Sequence, residues 1–211
     1  MNFEKLMRNV EKRNMSAYFA KDKEEAVKTA VEIIENARAG TGKDKEDITV
    51  AWGGSVTLDE TGIKDALARE GYSTFNRYDH PAKEQAKAKK MALLADIFLT
   101  STNAITEYGE LVNIDGNGNR VAAMIYGPDK VIYIIGRNKV TDTVENAYKR
   151  IKEVTCPKNA VRLGRKTPCA SKECTPCLIC GQTMCSHTVI TRFSSVKGRV
   201  HIIFVDEELG Y

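Results

Sequence analysis

Short apolar segments alternate with amphipathic helical segments along most of this chain, and this alternation restricts the folds open to it. Runs typical of buried strands occupy residues 48–52, 72–75, 96–100, 110–114 and 130–135. Apolar residues at helical spacing predict helices over residues 3–15, 22–37, 57–69, 83–94, 119–126 and 144–154. Strands that alternate with helices favour a layered α/β fold with a mainly parallel sheet.

Composition narrows the class further. A chain of 211 residues with 42% hydrophobic residues is long enough to bury roughly 70% of its unfolded surface in one domain, residues 1–211, without disulfides. No apolar run reaches the roughly 18 residues of a membrane span, and the charged N-terminus does not resemble a signal peptide. We therefore expect a cytoplasmic protein. The modest net charge of +4 and 7% aromatic residues give no indication of nucleic-acid binding.

Cysteines are concentrated near the C-terminus. Five of the six lie between Cys169 and Cys185 with the spacing C-x4-C-x2-C-x2-C-x4-C. The helix and strand pattern stops at about residue 156, so we predict an irregular metal-binding segment over residues 156–187. Clustered thiols in a reducing compartment indicate a metal site before a disulfide or free thiols. Four thiolates suit zinc or a [4Fe-4S] cluster equally well.

A glycine-rich loop, Gly-Gly-Ser-Val-Thr from Gly53 to Thr57, follows a predicted strand and precedes a predicted helix. Glycines permit a close approach of the backbone to a ligand, and the first turn of a helix offers free N–H groups to an anion. The alternative is that Thr57 and Glu60 form a capping box and the glycines only turn the chain.

A second polar stretch runs from Thr100 to Arg120 and contains hydroxyls, amides and carboxylates. We select Glu107 as the carboxylate for acid/base or covalent catalysis. Asp115 and Arg120 are expected to position a substrate or to pair with each other. The alternative is a hairpin in which Asp115-Gly116 and Asn117-Gly118 form turns.

Several segments together resemble the LUD-domain (lactate utilisation, DUF162-type) family over nearly the whole chain. They are GGSVTLDETGI, ADIFLTSTNAITEYGELVNIDGNGNRVAAMIYGPDKVIYIIGRNKV, CPKNAVRL, TPC and RVHIIFVDEELGY. The resemblance implies a fold similar to sugar-phosphate isomerases, coenzyme A transferases and 5-formyltetrahydrofolate cyclo-ligases, with ligands bound at strand-end loops. The implied ligand-binding residues, with Glu107 beside them as the catalytic candidate, are Gly53, Gly54, Ser55, Thr57, Glu60, Ser101, Asn103, Thr106, Asn113, Asp115 and Arg120.

The resemblance also implies a ligand set for the metal. Relatives with a cysteine tail resemble this chain at Cys169, Cys174, Cys177 and Cys185, while Cys180 is additional and neither Cys156 nor His187 is required. A [4Fe-4S] cluster is favoured over zinc because the family works beside iron-sulfur proteins. Asn159 and Arg162 match the family's NAxRL element and are expected to close one side of the pocket, although Arg162 in a structural ion pair is an equal alternative.

The functional expectation is a redox or ligand-binding component of lactate or organic-acid oxidation, with oxidoreductase chemistry. Its partners would be a small organic-acid or anionic substrate and iron-sulfur redox subunits. Two alternatives are a stand-alone isomerase- or transferase-type enzyme with a phosphorylated or CoA-linked substrate and a structural zinc, and a non-catalytic scaffold.

Overall fold

The structure is a computed structural model that describes residues 1–76, 79–171 and 183–211. In chain order, its helices are α1 (Phe3–Glu11), α2 (Lys23–Ala39), α3 (Val56–Thr61), α4 (Ile63–Arg69), α5 (Gln85–Met91), α6 (Asn119–Ile125), α7 (Val144–Arg150) and α8 (Cys156–Arg162). Its strands are β1 (Ser16–Ala20), β2 (Thr49–Trp52), β3 (Ser73–Phe75), β4 (Ile97–Thr100), β5 (Ala104–Thr106), β6 (Leu111–Asp115), β7 (Lys130–Gly136), β8 (Val140–Thr141), β9 (His187–Thr191) and β10 (Val200–Val205).

The main sheet has six parallel strands in the order β1-β10-β7-β4-β2-β3, which confirms the predicted α/β fold with a mainly parallel sheet. Residues along β7 alternate between two hydrophobic clusters. Ile132 and Ile134 pack with α2, α3 and α4 on one face, whereas Val131, Tyr133 and Ile135 pack with α1 and α6 on the other. Because both faces are covered by helices, the central strands consist mostly of apolar residues.

A second sheet of four strands, in the order β8-β5-β6-β9, follows the carboxyl end of β4. Strand β6 is antiparallel to β5 and β9, and β5 is parallel to β8. Helix α7 covers this sheet through a third hydrophobic cluster that includes Ala104, Val112 and Ala147. The segment predicted as a strand over residues 110–114 therefore forms, but it belongs to this smaller sheet.

Two predicted boundaries were wrong. The helix expected over residues 57–69 is divided at Gly62, whose φ of 70° lies in the left-handed region that favours glycine. The segment after residue 156 does not begin as irregular chain, because a π-helical turn, Ile151–Thr155, joins α7 to α8. Within the described ranges, no helix is long and apolar enough to cross a membrane.

The parallel strands end at a common edge, and β2 and β4 are neighbours there. After β2 the chain continues to β3 on one side of the sheet, whereas after β4 it continues towards β7 on the other side. Such a reversal opens a crevice outside the carboxyl ends of two strands, which is where open α/β sheets bind ligands.

Candidate functional site

A polar cavity of about 460 Å³ lies at this crevice. Its walls come from the loop after β2, the loop after β4, the β6–α6 turn, the residue Lys139 after β7, and helix α8. A volume of this size is typical of small-molecule sites. Seven of the predicted ligand-binding residues line the cavity, and they are Gly54, Ser55, Thr57, Ser101, Asn103, Asp115 and Arg120.

The loop after β2 uses its polar side chains for contacts within the protein. The Ser55 hydroxyl caps α3 by accepting a hydrogen bond from the Leu58 N–H at 3.4 Å. Thr57 donates to the Leu209 carbonyl at 3.3 Å, and Glu60 accepts from the Gly210 N–H at 2.6 Å. The capping box of Thr57 and Glu60, which was the alternative for this loop, does not form: Ser55 caps the helix, and Thr57 and Glu60 bind the segment at residues 209–210.

Arg120 lies at the start of α6 with 13% of its side chain exposed, and it is surrounded by acceptors. Its side chain makes an ion pair with Asp115 at 3.3 Å, as one of the two sequence alternatives expected. Four further hydrogen bonds of 2.9 to 3.2 Å are accepted by the Asn103 and Asn113 side chains and by the Ser101 and Ile114 carbonyls. The guanidinium thus joins the loop after β4 to the β6–α6 turn.

Two other predicted residues support Arg120 without lining the cavity. Asn113 is buried on β6, and its side-chain oxygen accepts hydrogen bonds from both Arg120 and the Asn103 N–H. Gly53 lies beside the aliphatic part of the Arg120 side chain. A Cβ atom placed on this glycine would be 3.6 Å from Cγ and Cδ of Arg120.

Lys139 is a central residue of this site, and the sequence did not single it out. The residue is only 2% exposed, and its ammonium donates hydrogen bonds to Thr57 Oγ1 at 2.6 Å and Ser101 Oγ at 2.9 Å. Within the described residues it makes no ion pair with a carboxylate. The sequence could have indicated Lys139 as a site residue, because it lies three residues after the strongly apolar strand β7, at the edge where the other loops converge.

The electrostatic environment of Lys139 disfavours its own charge. Burial is the main cause that lowers the pKa of Lys139 to about 7; the guanidinium groups of Arg150 and Arg120 act in the same direction, and Glu60 acts in the opposite one. Arg150 donates hydrogen bonds to the Asn103 and Asn138 carbonyls, both at 2.8 Å. A buried positive charge in this position is stabilised when a negative charge arrives beside it.

Thr106 and Glu107 lie elsewhere, at the far end of β5. Thr106 is buried, and its hydroxyl bonds the Glu110 carboxylate and N–H. The Glu107 side chain is 54% exposed, and its nearest cation is Lys5 at 4.0 Å. Glu107 is not among the described residues that line the cavity. The structure therefore does not bring this carboxylate to the site, and its catalytic role stays a prediction.

Helix α8 forms one wall of the cavity, where Asn159 and Arg162 were expected to close one side. Arg162 donates to the Tyr211 hydroxyl at 2.7 Å and to the Asn159 side-chain oxygen at 2.8 Å. These bonds bring the C-terminal residue Tyr211 into the lining of the cavity.

The structure describes three of the six cysteines, Cys156, Cys169 and Cys185. Cys174 and Cys177, like the additional Cys180, lie outside the described residues. The sulfur of Cys169 lies 3.2 Å from the Thr167 hydroxyl. Cys185 contacts Cys156, with 3.3 Å between the two Sγ atoms, and Cys156 also lines the cavity. The contact lowers the pKa of Cys185, because a thiolate there accepts a hydrogen bond, and the hydrogen bond and burial raise that of Cys156. Across the three described ranges, no three His, Cys, Asp or Glu side chains are grouped to hold a metal.

Comparisons with known proteins show the fold. The protein is similar to a DUF162 family protein from Deinococcus radiodurans, with a TM-score of 0.50, 13% identity, and 97% of this chain and 99% of that chain covered. Ribose 5-phosphate isomerase A from Methanocaldococcus jannaschii matches with a TM-score of 0.31 and 12% identity, covering 63% of this chain and 66% of that one. eIF2B delta from Chaetomium thermophilum matches with a TM-score of 0.30 and 21% identity, covering 55% of this chain and 49% of that one.

Sequence comparison gives the family. No curated protein matches the chain. The model of the LUD domain matches residues 3–205, which is nearly the whole length of the chain. With the predicted sheet in place and its strand-end loops gathered round one cavity, this match shows that the chain belongs to the LUD domain family.

Proposed function

We propose that the cavity binds a small organic acid through its carboxylate, and that the protein serves lactate utilisation or a similar organic-acid oxidation. Membership of the LUD family supports this general role. The observation that carries the proposal is Lys139, an ammonium buried between two hydroxyls with no carboxylate partner in the described residues. A ligand carboxylate would supply the missing negative charge.

The charges around the cavity support an anionic ligand over a cationic one. Arg162, Arg165 and Lys89 line the cavity together with Arg120 and Lys139, whereas Asp115, the one carboxylate side chain among the described lining residues, is already paired with Arg120. Hydrogen bonds between charged partners contribute roughly 1.5 to 3 kcal/mol each. A carboxylate against Lys139 would therefore gain more from the site than a neutral ligand of the same shape.

The cysteine-ligated metal centre belongs to this proposal. We propose Cys169, Cys174, Cys177 and Cys185 as ligands of a [4Fe-4S] cluster, with zinc as the alternative, and iron-sulfur proteins as redox partners. Of these four, Cys169 and Cys185 lie within the described residues. The thiol in contact with Cys185 is that of Cys156, which is not one of the four. When bound, an iron-sulfur cluster would accept electrons from the oxidation, and a zinc ion would only stabilise the fold.

Calorimetric titration tests the ligand class. L-lactate, D-lactate and pyruvate are compared with inorganic phosphate, ribose 5-phosphate and acetyl-CoA, using the wild type, Lys139→Met and Lys130→Met. Lys130 begins the strand that Lys139 follows and donates to the Gly198 carbonyl at 2.7 Å, so its variant is the matched control. We expect organic acids to bind and Lys139→Met to weaken them at least tenfold, about 1.4 kcal/mol.

The proposal fails if Lys139→Met and Lys130→Met bind every ligand equally well. Binding of phosphorylated or CoA-linked ligands in place of the acids would favour the isomerase- or transferase-type alternative.

A further inference from the structure

We propose that the ligand of the cavity is an organic acid with a second anionic group, and that Arg162 binds this second group. The inference rests on the proposed function, in which Lys139 receives the first carboxylate, and it adds the class of acid. The sequence assigned Arg162 only to closing the cavity or to a structural ion pair. Among the described residues, Arg162 makes no ion pair with a carboxylate.

The first support is the size of the cavity. Its volume is about 460 Å³. Cavities of about 300 to 1,000 Å³ typically enclose ligands of drug size. Lactate is much smaller than such a ligand, so a lactate ion beside Lys139 would leave most of the cavity to water. A longer acid would use the space beyond Lys139.

The second support is the charge of the lining. The described lining residues with a charged side chain are five cations and one carboxylate, namely Lys89, Arg120, Lys139, Arg162, Arg165 and Asp115. Asp115 offsets Arg120, and the carboxylate of the ligand would offset Lys139. Three cationic side chains then remain around the bound acid. A ligand with a second negative charge is therefore attracted more strongly than one with a single charge.

The third support is the hydrogen bonding of Arg162. Its Nε donates to the Tyr211 hydroxyl at 2.7 Å, and its Nη2 donates to the Asn159 side-chain oxygen at 2.8 Å. Both acceptors are uncharged, and Nη1 has no acceptor within the described part of the chain. In Arg120, by contrast, all three side-chain nitrogens have partners. The Nη1 and Nη2 groups of a guanidinium match two oxygens of a carboxylate or a phosphoryl group.

Two consecutive residues connect the surroundings of Arg162 with those of Lys139. A Cβ atom placed on Gly210 would be 3.3 Å from the Lys139 Nζ, and the next residue, Tyr211, bonds Arg162 through its hydroxyl. The Gly210 N–H is held by the Glu60 carboxylate at 2.6 Å. Both cations line the same cavity, whose volume equals that of a sphere about 10 Å across. One small molecule with an anionic group at each end can therefore reach both.

Calorimetric titration with matched acids tests the second group. 2-Hydroxyvalerate and 2-hydroxyglutarate have carbon chains of the same length, but the first ends in a methyl group and the second in a carboxylate. 3-Phosphoglycerate ends in a phosphoryl group. The proteins are the wild type, Arg162→Met and Lys158→Met. Lys158 is exposed on α8 and is not among the lining residues, so its variant removes the same charge from the same helix.

We expect the wild type to bind 2-hydroxyglutarate or 3-phosphoglycerate at least tenfold more tightly than 2-hydroxyvalerate, which is about 1.4 kcal/mol. Arg162→Met should remove this preference and leave the affinity for 2-hydroxyvalerate unchanged, whereas Lys158→Met should keep the preference. Tyr211→Phe removes a hydrogen bond of Arg162 but keeps its charge, so it should also keep the preference. The tighter of the two dianions identifies the second group as a carboxylate or a phosphoryl group.

Equal affinity of the wild type for the three acids would overturn the inference. The proposed function would still stand in that case if Lys139→Met weakened their binding. A preference that survives in Arg162→Met, or that Lys158→Met removes to the same extent, would also overturn the inference. If the wild type binds neither these acids nor lactate and pyruvate, the proposed function fails together with it.

Discussion

Arg120 and Lys139 are both cations at the same edge of the sheet, Lys139 buried and Arg120 largely so, yet their surroundings differ. Arg120 has five acceptors, including the Asp115 carboxylate, whereas Lys139 has two hydroxyls and no carboxylate among the described residues. A buried charge that is fully paired stabilises the structure around it. A buried charge without a counterion is stabilised when a ligand of opposite charge binds. The comparison assigns Arg120 to holding the loops and Lys139 to binding the ligand.

The largest effect should come from Arg120. Arg120→Met leaves Asp115 buried without its cation and removes four further hydrogen bonds, so we expect the free energy of unfolding to fall by about 3 to 5 kcal/mol. Urea unfolding of the variant measures this. If the variant keeps wild-type stability and instead loses organic-acid binding, Arg120 and Lys139 have exchanged the roles assigned here.

The next effect is the pH dependence caused by Lys139. Its pKa of about 7 in the folded protein lies below the ordinary value of 10.5, so the unfolded chain binds more protons between these pH values. Stability therefore rises with pH over this window. Relative to Lys139→Met, the wild type should gain at most about 4 kcal/mol between pH 7 and pH 10. Parallel stability curves for the two proteins would show that Lys139 is fully protonated in the fold.

The smallest effect should come from Glu107. Its exposed side chain lies 4.0 Å from Lys5 and outside the cavity lining. Glu107→Gln should change the free energy of unfolding by less than about 0.5 kcal/mol, as for other exposed ion pairs. Organic-acid affinity and turnover should match the wild type. A loss of turnover with intact binding would return Glu107 to the catalytic role predicted from the sequence.

The layered sheet could be predicted because local patterns specify it. Apolar runs at β2, β4 and β7 indicate buried parallel strands, and parallel strands bring the loops at Gly54 and Ser101 to one edge regardless of detailed packing. Arg120 and Asp115 could be paired in advance because they are close in sequence and opposite in charge.

The remaining parts of the site depend on contacts between distant segments. Lys139 becomes a buried cation only because Thr57, 82 residues away, and Ser101 enclose it. Glu107 lies in the same polar stretch of sequence as Ser101 and Asn103, which line the cavity. Strand β5 runs away from the cavity, however, so Glu107 lies at the opposite end of the second sheet. The contact of Cys156 with Cys185 likewise requires α8, which the sequence pattern did not reveal.

The most direct test of the central claim is the number of protons taken up when the organic acid binds. A carboxylate beside Lys139 must raise its pKa, so at pH 8 the free amine becomes an ammonium in the complex. Titration calorimetry in two buffers of different ionisation enthalpy measures this number. We predict an uptake of about one proton by the wild type, and none by Lys139→Met under conditions where it still binds. Binding to the wild type without proton uptake would contradict the claim that Lys139 receives the carboxylate.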